Sequence, residues 1–452
     1  MVSYINEFLK AEKPKDYYAE LAADLKEINN RYHAFNVINE EAGKDTRGMP
    51  FSTKANICVK GYETTAGSKM LKGYEPPFSS TAAQRMIDDG RFSFIGVANM
   101  DEFGFGTFGI NTEVPARNAF DSDYASGGSS SGSAVATALI KYHVAVAEST
   151  GGSISTPAAM NGVVGFTPTY GAVSRHGLID YANSLDKIGV MARSSDDARI
   201  AFDCIRGKDD YDMTCAVEKI NSNPKKKLYV VDELLAKTDH KVAVAFGKLL
   251  HGLEKDYKVE HISSALIEQT IAPYYIIAMA EASTNLAKYN GYKYGLLLNE
   301  FNKRYNEFFT DARGSFGTEA KRRIILGTFI RSESVREKYY SKALAIRAML
   351  IKELSKLLND GFMISPAIPI SSIKIKEAEK LNPLQSYSMD LFTIPPNLGG
   401  FPHITFPYDY IDGMPLGAQL VSEQGNDYAL LNFVKEWEQC FDYRYKYNLG
   451  SL

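Results

Sequence analysis

Apolar positions recur along this chain at two periods. In residues 16–32, Leu21, Leu25, Ile28 and Tyr32 fall at near-helical spacing and predict an amphipathic helix. Packing on a core accounts for that stripe as well as a partner-binding face does. Val242, Phe246, Leu249, Leu250 and Leu253 mark a second helix. Tyr339, Ala343, Ile346, Leu350, Leu354 and Leu357 mark another, inside a Tyr-rich and mostly helical region at about 273–358. Short continuous apolar runs read instead as buried strands: 95–98, 145–147, 162–166 broken by Pro168, 228–231, and 362–365 ended by Pro366. Ser195 is expected to cap a helix over 196–205. Pro402, Pro407, Gly413, Pro415 and Gly417 punctuate a late β-rich stretch, and a closing helix carries Phe433 and Trp437. Strands alternating with helices argue an α/β fold.

Composition narrows the class. A chain of 452 residues with 45% hydrophobic content can bury a sizeable core. A net charge of −3 gives no overall basic footprint for nucleic acid. The Lys225–Lys227 run reads as a solvated turn rather than an RNA contact. Cys58, Cys204, Cys215 and Cys440 stand far apart without a Cys-x-x-Cys pair, so neither a zinc site nor a disulfide framework is indicated. No apolar run reaches the roughly 18 residues of a spanning helix, and the start lacks a signal-peptide pattern. A cytoplasmic enzyme with no membrane association is expected.

The candidate chemistry sits in residues 126–155. Ser126-Gly127-Gly128-Ser129-Ser130-Ser131-Gly132-Ser133 opens the stretch. A small-residue, helix-like segment over 134–147 follows, then Thr150-Gly151-Gly152-Ser153-Ile154-Ser155. Glycine frees backbone N–H groups to face anionic oxygen, and serine supplies hydroxyls that donate, accept or attack. Gly/Ser runs also serve as flexible linkers, but close apolar flanks suit a buried site better. Gly128-x-Ser130-x-Gly132 matches a nucleophile elbow in letters, yet the polar residues 118–125 before it are not the required strand. A phosphate loop is missing its Lys-Ser/Thr pair after Gly132. A serine activated by a lysine remains, and Lys54 ends a candidate strand in 49–56. Burial disfavours an ammonium, so a buried, uncharged Lys54 can accept a proton; alone, it reads far more readily as a solvated surface lysine. Asp101 and Glu102, just after the strand at 95–98, read either as an acid/base pair or as the acidic start of a helix.

Lys54, Ser129 in Gly-Gly-Ser-Ser and Ser153 in Thr-Gly-Gly-Ser, separated by 75 and 24 positions, together resemble the amidase signature family. The resemblance runs from about Gly48 to Glu438. Asn99-Met100-Asp101-Glu102-Phe103, residues 162–171, Ser184-Leu185-Asp186, residues 322–328 and residues 390–395 place it nearest the branch serving as A subunits of glutamine-dependent aspartyl/glutamyl-tRNA amidotransferases. It implies a central mixed β-sheet covered by helices on both faces. It also implies an N-terminal helical segment over 1–45 and an amidase catalytic domain over 46–445, the helical region contributing glutamine-binding residues. Ser153 would be the nucleophile, Ser129 the proton relay after a cis Gly128–Ser129 peptide, and Lys54 the general base. Backbone N–H groups of Thr150, Gly151, Gly152 and Ser153 would form the oxyanion hole. Arg323 would clasp the glutamine α-carboxylate with two parallel hydrogen bonds, Asp390 would pair with the α-ammonium, and Tyr274 would close the pocket. Each of these also has a plain structural reading: Arg323 as a helix-surface charge, Asp390 as a cap, Tyr274 as core.

The same resemblance implies no metal or cofactor in this chain. ATP and Mg²⁺ belong to a partner B subunit that activates Glu or Asp on misacylated tRNA with the ammonia released here, and a small C subunit can complete the assembly. The chain departs from the family pattern at Ser149 and Ser155, where Asp and Arg are common, at Ala55 for Asp, and at Ser131 for Gly. Two other functions stand beside the glutaminase: a free-standing amidase for small or aryl amides, and a catalytically inactive scaffold subunit.

Overall fold

Runs of apolar residues too continuous for a one-sided strand build the sheet of this protein. The structure, a computed structural model, describes residues 3–11, 17–43, 48–217, 219–296 and 304–441. Residue 16, the expected boundary at 45/46 and the end point at 445 lie outside them. Eleven strands pair into one sheet: β1 Phe35–Ile38, β2 Met49–Lys54, β3 Phe92–Ala98, β4 Val144–Ser149, β5 Val164–Thr167, β6 Lys187–Ala192, β7 Lys227–Val231, β8 Lys258–Ile262, β9 Phe362–Pro366, β10 His403–Ile411 and β11 Met414–Val421. Their order is β1-β3-β2-β4-β6-β5-β10-β11-β9-β7-β8. β2 runs parallel to both β3 and β4, and β7 runs parallel to β8 and β9. The remaining pairs, such as β4–β6 and β10–β11, are antiparallel, so the sheet is mixed. Every residue of β2, β3, β4, β6 and β11 is buried. Such strands are covered on both faces, and helices flank the sheet.

The amphipathic stripe at 16–32 forms the helix Tyr17–Tyr32, whose Leu21, Leu25 and Ile28 share an apolar cluster with Val135, Ala136 and Leu139. Packing therefore explains that stripe. Val242, Phe246, Leu249, Leu250 and Leu253 are buried on the helix His240–Leu253. The helix-like segment at 134–147 is divided: its helix is Ser131–Leu139, and Val144–Ser149 is strand β4. Pairing of β4 with β2 and β6 overrides the helix preference of alanine there. The helix at 195–205 is capped one residue early, by Ser194, which accepts from Asp197 N–H at 3.1 Å. Ser195 Oγ is occupied instead with Glu438 at 2.8 Å. Pro366 closes β9 from within, opposite Ala418. The Lys225–Lys227 run is anchored rather than merely solvated, with Lys225 on Glu423 at 2.9 Å and Lys227 on Asp360.

The helical region forms a second apolar cluster in which Tyr274, Ile277, Ala320, Leu350 and Leu354 meet Phe103, Phe105 and Tyr181. The helices Ile271–Asn285 and Thr318–Arg331 cross closely because Gly327 lies against Met279 O, where any Cβ would collide. That contact sets Tyr274 and Arg323 on closely crossing helices.

Candidate active site

Parallel pairing of β2 with β4 brings the carboxyl ends of both strands to the same edge, where open α/β sheets commonly place their chemistry. Lys54 is the last residue of β2, and Glu148 and Ser149 end β4. Lys54 is fully buried. Its Nζ donates to Ser129 Oγ at 2.8 Å, to Glu148 O at 2.9 Å and to Glu148 Oε2 at 2.8 Å. Three acceptors thus surround a group that carries three N–H bonds as an ammonium. Glu148 Oε2 also accepts from Asn56 Nδ2 at 3.0 Å. This corrects the expectation of a lone, uncharged amine: sequence reasoning weighed burial, but a fully buried carboxylate forms an ion pair with Lys54.

Thr150 Oγ1 lies 2.7 Å from Glu148 Oε1 and 2.8 Å from Asp186 Oδ1. A hydroxyl has one hydrogen, so it bridges both carboxyls only if one of them is protonated. Asp186 is that one, since burial and then the Glu148 charge push its pKa well above the ordinary carboxylate range.

Ser129 lies on the first Gly/Ser loop. The Gly128–Ser129 peptide is cis. A Cβ on Gly128 would collide with Asp101 Oδ2. Asp101 braces this loop: its carboxylate accepts from Gly109 N–H at 3.1 Å and Asn111 N–H at 2.6 Å, and its own N–H donates to Ser129 O at 3.1 Å. Burial raises its pKa to about 7, against the pull of those N–H groups and of Lys54. Glu102 does separate work, accepting from Ser68 Oγ and Gly317 N–H. The two acids thus stand at the start of the short helix Glu102–Gly104 and brace different segments of the chain.

Ser153 lies on the second loop, ahead of the helix Ser155–Met160, and is 5% exposed. Ser130 N–H donates to Ser153 O at 3.2 Å and ties the two loops together. Ser129 Oγ and Ser153 Oγ are not hydrogen-bonded to one another; such catalytic contacts commonly tighten only around substrate. Among the described residues, the N–H groups of Thr150, Gly151, Gly152 and Ser153 find no acceptor within the chain. They form a row of unused donors beside the Ser153 hydroxyl.

Two of the three expected anchors, Tyr274 and Asp390, lie against the same loop. Tyr274 is buried, and a Cβ on Gly151 would sit 2.6 Å from its hydroxyl. A Cβ on Gly152 would sit 3.1 Å from Asp390 Oδ1. Asp390 is 7% exposed and accepts through Oδ2 from Tyr275 at 2.7 Å and Thr107 at 3.3 Å. Burial raises its pKa to about 6, opposed by Tyr275 and Arg323. Arg323 is 3% exposed, so it is not a helix-surface charge. Its Nε donates to Glu319 at 2.8 Å, and one terminal nitrogen donates to the Tyr181 hydroxyl. Phe105, Tyr181, Tyr275 and Tyr387 surround its guanidinium at 4.8 to 5.5 Å, which suits a cation over aromatic faces. Part of the expected fork is therefore already taken, leaving the other terminal nitrogen for a ligand. A cavity of about 210 Å³ opens here, lined by Thr107, Asn111, Glu319, Arg323 and Tyr387 among others.

Sequence reasoning missed Glu148, Glu319, Tyr275 and Asn397. Glu148 carried a signal, being the one charge in the apolar strand Val-Ala-Val-Ala-Glu-Ser. Glu319 stands four residues before Arg323 on one helix, a spacing that pairs opposite charges. Ser149 Oγ donates to Gly151 O, while Ser155 Oγ and Ser131 Oγ are buried without a partner. Among the described residues, no group of His, Cys, Asp or Glu is arranged to hold a metal ion, and no helix is long and apolar enough to cross a membrane. The four cysteines are free thiols.

A family model described as Amidase matches residues 18–431. The A subunit of the glutamyl-tRNA(Gln) amidotransferase of Pseudothermotoga lettingae is 39% identical over 423 residues, 89% of this chain and 88% of that protein. Its counterpart in Sulfolobus acidocaldarius is 35% identical over 97% of this chain and 96% of its own. The crystal structure of the Thermotoga maritima counterpart superposes with a TM-score of 0.80 at 32% identity, covering 94% of this chain and 92% of that one.

Proposed function

The chain belongs to the amidase family, and from that premise we propose that it is the glutamine-hydrolysing A subunit of a tRNA-dependent amidotransferase. Ser153 Oγ attacks the side-chain carboxamide carbon of glutamine. Its proton passes to Ser129 Oγ as the Ser129 proton passes to Lys54 Nζ, once Lys54 has given one of its three protons to Glu148 Oε2, 2.8 Å away. Glu148 holds that proton and still accepts from the ammonium that results. The N–H row from Thr150 to Ser153 receives the oxyanion, where one donor is typically worth about 3–4 kcal/mol. Ammonia leaves with a proton returned along the same path. Water then releases glutamate from Ser153, with Lys54 and Ser129 again carrying the proton.

The observation that carries this reading is that Asp390 lies against the Ser153 loop and bonds Thr107, which lines one cavity together with Arg323. A zwitterion needs both charges; a neutral amide needs neither. The ammonia passes to a partner B subunit, which uses ATP and Mg²⁺ to activate Glu or Asp on misacylated tRNA, with a small C subunit completing a cytoplasmic assembly. One observation favours a second reading, a free-standing amidase: Glu319 and Tyr181 already occupy part of the Arg323 fork. Ammonia release from glutamine and from benzamide decides between them. Preference for glutamine supports the amidotransferase reading; preference for benzamide replaces it. Purification of the native chain with its companions tests the assembly.

A further inference from the structure

The Gly151–Gly152 peptide has no side chain of its own to fix it, yet its carbonyl is fastened at two points. Ser149 Oγ donates to Gly151 O at 2.9 Å, and Asn397 Nδ2 donates to it from the helix Ile394–Gly399. The second N–H of Asn397 goes to Thr393 O at 2.9 Å. Both oxygens can only accept, so the NH₂ end of the Asn397 amide must face them. His403 stands behind it. Nδ1 lies 3.2 Å from Phe401 O, which can only accept, so Nδ1 carries the hydrogen. Nε2 then presents its lone pair 3.3 Å from Asn397 Nδ2. Ser149, Asn397 and His403 are all fully buried.

A trans peptide points its N–H opposite to its C=O. Gly151–Gly152 is trans. Holding the Gly151 carbonyl therefore sets the direction of Gly152 N–H, one of the unused donors next to Ser153. We propose that Asn397 and Ser149 are positioning residues for the oxyanion hole: by fastening Gly151 O they keep Gly152 N–H turned toward the carboxamide oxygen in the transition state. The inference rests on reading Ser153 as the nucleophile, and it does not depend on which amide is cleaved.

The test uses the full chain with whatever partners co-purify, as wild type, Asn397→Asp and Ser149→Ala. Asn397→Asp sets a carboxylate against the carbonyl, and the loss of one oxyanion donor corresponds to about 10²–10³-fold in kcat. The expected result is that loss in kcat with KM for glutamine within about twofold, and a loss of roughly tenfold for the milder Ser149→Ala, which keeps the assay usable if Asn397→Asp folds poorly. A second readout is independent of substrate. A fluorophosphonate probe is displaced at phosphorus by Ser153 Oγ, fluoride leaves, and the labelling rate reports the same donors. Slowed labelling in both variants supports the proposal even where glutamine proves to be the wrong substrate. Labelling at the wild-type rate, a rise in KM with kcat unchanged, or a wild type that does not label at Ser153 overturns it.

Discussion

Two ion pairs, the buried Lys54–Glu148 and the partly buried Arg323–Glu319, differ in how they are made. Lys54 and Glu148 come from adjacent parallel strands, 94 residues apart in the chain, and both are fully shielded from solvent. Arg323 and Glu319 are neighbours on one helix, at i and i+4. The first pair touches Ser129 and nothing that a substrate reaches directly. The second lines an open cavity among four aromatic rings. Burial opposes ionisation of Glu319, yet Arg323 and the Tyr387 hydroxyl hold its pKa below the usual range. A pair sealed between strands suits moving a proton without moving atoms. A pair on a helix facing a cavity suits holding a charged ligand. The proton-handling pair should therefore govern kcat and the cavity pair KM.

Lys54→Met offers the strongest way to break this division. Removal of a general base typically costs 10²–10⁴-fold, so kcat for ammonia release is expected to fall by about that factor with KM within a few-fold. A rise in KM with kcat intact would erase the distinction. Glu148→Gln comes next. It leaves Lys54 buried without its counter-charge, and such losses run at about 3–5 kcal/mol. Urea denaturation should show the drop as a lower midpoint, and an unchanged midpoint would mean that the pair is not a working ion pair.

Arg323→Lys keeps the charge and loses the planar fork. A charge-assisted hydrogen bond is worth about 1.5–3 kcal/mol, so KM for glutamine should rise roughly 10–100-fold with kcat nearly unchanged in steady-state assays. The smallest effect is a pH dependence. Asp390 must be ionised to meet the glutamine ammonium, and its pKa lies at about 6. The Asp390 step in kcat/KM should thus be flat above about 6 and fall up to tenfold per unit below it, a break absent from Asp390→Asn. The stability sign is opposite. A folded pKa above the ordinary value of about 3.9 favours the folded state below that value, and this contribution is lost as pH rises toward 6.

Much of this molecule was legible in the order of its residues. The continuous apolar runs located β3, β5, β7 and β9, because a strand covered on both faces needs little else. The two Gly/Ser loops and the spacing of Lys54, Ser129 and Ser153 marked the candidate site, and folding brought Lys54 Nζ to 2.8 Å from Ser129 Oγ. Arg323, Asp390 and Tyr274 were singled out; the tertiary structure set Tyr274 and Asp390 against the second loop and Arg323, among aromatic rings, in the cavity lining. It decided three further matters. The strand read at 145–147 overlapped the helix-like segment read at 134–147, and partners on both sides, β2 and β6, settled residues 144–149 as strand. Glu148 became the counter-charge of Lys54 because parallel pairing set β4 beside β2 at that position. Asn397 reached Gly151 across 246 residues because its helix packs behind the loop. Local sequence states which groups a segment carries and which face they share. Distances between groups far apart in the chain follow from strand pairing and helix packing, which minimise the free energy of the whole core and leave no local trace.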